Sequence, residues 1–203
     1  MTDIPKLLKA RQLHSRIFAM LAVILVLVSK PWMGADNILR ELMLWLGYVL
    51  VVVGAFGRVY CSAFIGGRKN DVVVREGPFS VVRNPLYVFS FLAVVGIGLE
   101  SGMITLLALL SAAFIFYYPL VVEKEEAFLQ HKFGESYDAY MREVPRWKPD
   151  FKIWNEPEQV DAKPKFIRRT AMDAAIFFLP LPAFAIIALF QAHHILPLWL
   201  TLP

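Results

Sequence analysis

The sequence holds almost none of the residues from which small proteins build covalent or metal staples. One cysteine, Cys61, occurs in 203 residues, so a disulfide framework within one chain and a thiolate zinc cage are both excluded. Cys61 is read as a small apolar packing residue. Histidine is scarce as well. His131 falls on the exposed side of a charged amphipathic stretch, and His14, His193 and His194 flank apolar runs, so no metal site is expected and none of the four is a catalytic candidate. Repeats and low-complexity tracts are absent, and no signal-type cleavage site follows the first apolar run, which is expected to be retained.

What is abundant is apolar surface. The chain is 58% hydrophobic and 14% aromatic, with a mean hydropathy of +0.54, above the apolar share of an ordinary soluble domain. An all-α integral membrane protein is expected. Five apolar segments stand out: Ile17 to Ser29, spanning only if His14 to Met33 is used; Leu42 to Ile65, interrupted by Arg58; Leu86 to Leu99; Ile104 to Val122; and Ala174 to Phe190, with Pro180 and Pro182 inside it. A span needs about 20 residues, so the third is short. It is read as one arm of an antiparallel helical hairpin with the fourth, with Pro85 in its first turn, where a missing N–H costs little.

All but two of the 21 Lys and Arg flank these segments on one side; only Lys30 and Arg40 fall in the alternate connections. By the bias of cations toward the cytoplasm, five spans put the N-terminus and both long polar stretches inside and the C-terminus outside. The expected organisation is 1–65 for membrane helices one and two, 66–149 for a cassette of loop, hairpin and helical tail, 150–170 for a linker, and 171–203 for a last membrane helix. The net charge of +4 is explained by this topology and anionic lipid, without a nucleic-acid partner.

The polar stretches carry the chemistry. The first is GGRKNDVVVREGPFSVVRNPLY, 66–87. The second, VVEKEEAFLQHKFGESYDAYMREVPRWKP, 121–149, carries the fourth segment past the membrane edge as an amphipathic helix with Phe128, Phe133, Tyr137, Tyr140, Met141 and Val144 on one face; Gly134 is expected to break it and Pro145 to stop it. Within them, the order Gly-Pro-aromatic, Arg-x-Pro-x-Tyr, a Gly96-x-Gly98 pair, Glu125-Glu126, Phe-Gly-x-x-Tyr-x-x-Tyr and Val-Pro-Arg resembles the isoprenylcysteine carboxyl methyltransferase and phospholipid methyltransferase superfamily of integral-membrane enzymes. The likeness covers roughly residues 66–149.

That resemblance implies S-adenosylmethionine as methyl donor, S-adenosylhomocysteine as product, and a lipophilic acceptor entering from the bilayer. Protein prenylcysteine, phosphatidylethanolamine, a quinone-like lipid and a small thiol would all fit such an entrance. One departure stands in the motif: Asn84 occupies the place where the family pattern has histidine. Asparagine keeps the hydrogen bonds but not the cationic form.

Residue by residue, the motifs suit that donor, which carries a carboxylate, an ammonium, a ribose diol, an adenine and a sulfonium. Arg83 is the candidate for the carboxylate, with a snorkelling membrane-edge arginine as the alternative. Glu125 and Glu126 are candidates for the diol or the ammonium; they point about 100° apart on a helix, so one of them is as readily a solvated charge or a partner for Arg83. Asn84 and Pro85 complete that corner. Gly96 and Gly98 would allow close approach of the donor, although small residues at a helix contact explain the pair more simply. Tyr87 and Tyr137, with Tyr117, Tyr118 and Tyr140, could wall the adenine or face the sulfonium, or form an interfacial aromatic belt.

For catalysis, Arg146 is the candidate to hold a carboxylate acceptor, and Glu126 or a tyrosine the candidate to take a proton from an amine or thiol. Methyl transfer is an in-line displacement in which alignment and water exclusion dominate. The leading reading is a membrane methyltransferase, in a bacterial inner membrane with its active site cytoplasmic. The alternatives are a non-catalytic binder of hydrophobic ligands on the same scaffold and a sterol-type reductase using a nicotinamide cofactor.

Overall fold

The first long helix is set by a cap. Asn37 turns its side-chain oxygen back onto the N–H groups of Leu39 and Arg40, at 2.9 and 3.4 Å, and Glu41 follows in the first turn, an arrangement worth about 1 kcal/mol. The computed structural model of the protein describes residues 20–34, 36–196 and 198–203. The expected first segment is therefore seen only from Met20, as the helical residues 20–28 (α1); Lys6, Lys9, Arg11, His14 and Arg16 lie outside the described residues.

The capped helix, α2, is Ile38–Ile65, starting before the apolar run it was read from because the cap reaches back to Asn37. A single turn, α3 (Pro78–Val81), leads to α4 (Pro85–Glu100), which begins on its proline as the sequence predicts. A tight turn through Gly102, at φ +67°, leads into α5 (Ile104–Phe133). Gly134, at φ +53°, breaks the helix as expected, and α6 (Glu135–Glu143) follows. After a 3-10 turn at Phe151–Ile153 come α7 (Pro164–Ala175) and α8 (Pro180–Ala192), joined by a 3-10 turn. Two short parallel strands, β1 (Ser29–Pro31) and β2 (Leu200–Leu202), pair Ser29 with Leu200.

Among the described residues three helical stretches are long and apolar enough to cross a membrane: Ile38–Ile65, Ile104–Phe133 and the combined Pro164–Ala192; Pro85–Glu100 is apolar but shorter. The protein is thus mostly helical and suited to a bilayer. Its large outward-facing side chains agree: Trp45, Phe56 and Phe116 are 70%, 69% and 77% exposed, where lipid rather than water would cover them.

Glycine sets the spacing of the central helices. Gly47 and Gly96 lie so close that a Cβ on Gly96 would come within 2.6 Å of the Gly47 carbonyl oxygen, and one on Gly54 within 2.6 Å of that of Phe89. Along this seam residue numbers rise on α2 as they fall on α4, so the two helices are antiparallel. The ring pairs Phe91–Phe114 and Tyr87–Tyr118 make α4 and α5 the antiparallel hairpin that the sequence implied. Cys61 packs with Phe64, Val74 and Phe79 in a small core at one end of α2.

The region 77–84 is stitched to the distant tail through the backbone. Arg83 N–H donates to the Pro145 carbonyl at 2.9 Å, Asp150 N–H to Val81 at 3.0 Å and Gly77 N–H to Asn155 at 2.7 Å. The Tyr140 hydroxyl donates to the Phe79 carbonyl at 2.7 Å. The stretch 150–170, read from its composition as a linker, is accordingly tied down as far as Asn155 and is helical from Pro164.

Candidate active site

Three separate segments converge beneath the start of α4. Glu126, on the charged continuation of α5, is 3% exposed and accepts from the other two. Asn84 Nδ2 donates to its Oε1 at 2.8 Å. Arg146 donates to Oε2 through Nε at 2.9 Å and Nη2 at 2.8 Å. Arg83 Nη1 stands 3.5 Å from the same oxygen, and Arg146 also reaches Glu123 at 3.6 Å. A buried carboxylate is tolerable only with such partners.

Arg83 and Arg146 both face Glu126, and Arg146 is held by Glu123 as well. Arg83 Nε is shut from solvent with no partner among the described residues, which leaves one guanidinium N–H for a further acceptor. Beside it lies a cleft of about 690 Å³, counting its mouth, lined by Arg83, Asn84, Tyr87, Glu125, Glu126 and Tyr137, among others. Burial pushes the Tyr137 phenol above its ordinary range, the Glu126 charge adds to this, and Arg83 and Arg146 partly offset it. Tyr140 is raised too, first by burial. Both are neutral phenols at physiological pH.

A second groove, of about 730 Å³, runs between α4 and α5 and is lined by Tyr87, Val88, Phe91, Phe114, Ile115, Pro119 and Trp147. It is almost wholly apolar. Tyr87 belongs to both walls, and Trp147 adjoins Arg146 in the chain, so the polar cleft and the apolar groove meet at one corner.

Of the residues singled out from sequence, Arg83, Asn84, Pro85, Tyr87, Glu125, Glu126 and Tyr137 line the polar cleft, and Arg146 joins them through Glu126. Gly96 and Gly98 are elsewhere. Gly96 lies about 16 Å along the axis from Pro85 and packs on Gly47 and Val51, and Gly98 packs on Leu107. Both are close-approach glycines toward neighbouring helices.

The sequence reading passed over two residues here. Trp147 was noted only as the end of a motif. Arg58, noted only as an interruption, donates from Nη1 to the Leu86 carbonyl at 3.3 Å and to the Ser90 hydroxyl, and its guanidinium lies 5.6 Å from the Phe177 ring centre. It ties α2 to the first turns of α4 just behind the cleft. A cation inside an apolar run was the available signal.

Comparison with known proteins bears on this stretch. Residues 38–136 match the family model described as phospholipid methyltransferase. The nickel-cobalt-cadmium resistance protein NccN of Alcaligenes xylosoxydans xylosoxydans is 34% identical over 65% of this chain and 62% of its own length. The cobalt-zinc-cadmium resistance protein CzcN of Cupriavidus metallidurans is 36% identical over 56% of this chain and 52% of its own. The chain thus spans a little over half the length of these two relatives. The protein-S-isoprenylcysteine O-methyltransferase of Schizosaccharomyces pombe is 31% identical over 40% of this chain and 34% of its own length. No solved structure matches. The family model and the yeast relative support the phospholipid and isoprenylcysteine methyltransferase superfamily, to which the motifs of residues 66–149 are similar.

Proposed function

We propose that the protein is a membrane-embedded methyltransferase that uses S-adenosylmethionine to methylate a lipophilic acceptor. The observation that carries this is the corner at Tyr87, where a cleft lined by charges of both signs, Arg83 with Glu125 and Glu126, meets an apolar groove between membrane helices. When bound, S-adenosylmethionine supplies an electrophilic methyl group on a sulfonium. The residues present fit it. Arg83, with its unpartnered Nε, would hold the carboxylate, Glu125 and Glu126 the ammonium or the ribose, and the rings of Tyr137, Tyr140 and Phe133 would wall the adenine.

The same residues narrow the acceptor. Glu126 already accepts from Asn84 and Arg146 and faces Arg83, and Tyr137 holds its proton tightly, so neither is a ready base. Arg146 precedes Trp147 of the groove wall and is held by Glu126 and Glu123. The reading therefore favours an acceptor that arrives ionised, such as a carboxylate on a lipophilic tail, which Arg146 would orient. Relatives named for metal resistance do not change this; among the described residues no three His, Cys, Asp or Glu side chains gather to hold a metal ion.

The cation bias supports five crossings with this corner in the cytoplasm, as in a bacterial inner membrane. Cysteine labels at Asn70 and Glu158 should react from the inside and one at Asp36 from the outside; labelling of Asn70 and Asp36 from one side would refute that orientation.

The chemistry is tested by incubating the purified protein with radiolabelled S-adenosylmethionine and a membrane lipid extract. Label should enter a lipid fraction, and should not in Arg83→Ala. Binding of S-adenosylhomocysteine without any label transfer would make the protein a non-catalytic binder.

A further inference from the structure

The opposite end of α4 carries a second site. A cleft of about 650 Å³, counting its open mouth, lies there between β1, α2, the α4–α5 turn and α8. Its wall is largely apolar, Leu44 and Phe184 included, yet Arg40 and Glu100 both line it. Among the described residues neither side chain has an ion-pair or hydrogen-bond partner, and they do not pair with each other. Arg40 Nε is shut from solvent without a partner and lies over the turn, 3.1 Å from where a Cβ on Gly102 would stand. Ser29, 2% exposed, lines the same cavity, and its hydroxyl has no partner either.

Gln191, on the same wall, is fully used. Its amide donates to the carbonyls of Val26, Leu27 and Ser29 at 3.2, 3.3 and 3.0 Å, closing the end of α1. The fold therefore satisfies the backbone here while leaving a guanidinium N–H, a hydroxyl and a carboxylate toward one space. Buried polar groups are normally paired, so two unpaired ones, Arg40 Nε and the Ser29 hydroxyl, beside the half-buried Glu100 carboxylate point to a ligand that pairs them together.

We propose that this cavity binds the zwitterionic head of a phospholipid, with its phosphate on Arg40 and Ser29 and its ammonium on Glu100. Guanidinium matches phosphate oxygens in geometry and charge, and a carboxylate does the same for an ammonium. A purely anionic head would set its charge against Glu100, and a purely cationic one against Arg40. The apolar wall takes the glycerol and the first methylenes. This lipid is distinct from the methyl acceptor, being held about 24 Å away at the far end of α4, and the inference stands independently of the proposed reaction. Soluble glycerophosphoethanolamine has the same head without the chains.

Native mass spectrometry of the detergent-solubilised protein, titrated with phosphatidylethanolamine or phosphatidylglycerol, reads the site. The parent should hold the zwitterionic lipid about tenfold more tightly than the anionic one, and Arg40→Ala should lose roughly that factor. Glu100→Gln should bind the two lipids alike. Arg40→Lys, which keeps the charge and removes Nε, should bind at an intermediate level with a parental melting temperature, and so separates loss of the site from loss of the fold. Displacement of bound lipid by glycerophosphoethanolamine assigns recognition to the head alone; resistance to displacement assigns it to head and chains. Equal affinity of the parent for both lipids, or parental binding by both Arg40→Ala and Glu100→Gln, overturns the proposal.

Discussion

At its Asn84 end α4 meets Arg83, Glu126 and Arg146, drawn from three distant stretches of chain and locked to one another at 2.8 to 3.5 Å. At its Glu100 end it meets charges that no group among the described residues pairs, while the elements around them are held by backbone: the β1–β2 pair and the Thr105 N–H, which donates to the Pro203 carbonyl at 2.8 Å. The difference separates two ways of organising polar groups at a membrane edge. Where side chains do the stitching, removing one loosens the tail that carries Arg146. Where backbone does it, the side chains are released for a ligand and can be changed at little structural cost.

The sharpest way to break this comparison is Glu126→Ala. It leaves the buried Arg83 guanidinium without its carboxylate and the half-exposed Arg146 with Glu123 alone, and loss of one partner from a buried ion pair costs up to roughly 3 to 5 kcal/mol. Denaturant unfolding in detergent should show it, whereas Glu100→Ala should unfold like the parent. Equal stability of the two variants would erase the distinction.

Asn84→Ala comes next. It removes one hydrogen bond to a charged carboxylate, worth roughly 1.5 to 3 kcal/mol, and calorimetry should record a weaker affinity for S-adenosylhomocysteine. Asn84→His, which restores a donor, should regain most of it. Gly96→Val tests the seam between the ends. Its Cβ would meet the Gly47 carbonyl oxygen at 2.6 Å, so overpacking should cost about 1 to 3 kcal/mol and lower the melting temperature. Ligand affinity well below that temperature should not change; a specific loss of affinity would return Gly96 to the donor site.

The smallest effect is the pH dependence of Tyr137. Its pKa is raised above the ordinary 10.0, so the unfolded chain releases this proton first. The contribution to stability is complete below pH 10 and shrinks as pH climbs above it. Between about pH 9.5 and 11 the parent's melting temperature should fall faster than that of Tyr137→Phe.

Much of the Asn84 end was legible in the sequence because its residues are chemically distinctive and sit at fixed offsets. Arg83, Asn84 and Glu126 could be named as one corner before any packing was known. Which of Glu125 and Glu126 turns inward could not, because the choice depends on the rotation of α5 against α4. Gly96 and Gly98 read more simply as a helix contact than as a donor contact, and the facing Gly47 and Leu107 show how they pack. The Glu100 end was illegible for the same reason. Arg40 and Glu100 lie 60 positions apart and carry no motif, and the cavity they share exists only once α8 and β1 close around it. Helix boundaries shifted where local chemistry outweighed hydropathy, at the Asn37 cap and at Pro164.

The short length of α4 has a consequence for the surface of the membrane. Its 16 residues rise about 24 Å, less than the roughly 30 Å of a hydrocarbon core. Its neighbours overshoot it: α5 continues past Glu126 to Phe133, and α2 past Arg58 to Ile65, each by about seven residues or roughly 10 Å. The Asn84 end is thus the floor of a well whose rim is made by longer helices and roofed by the tail. A water-soluble molecule would have to descend into that well, whereas a chain already dissolved in a bilayer would meet the floor sideways without rising to the headgroups.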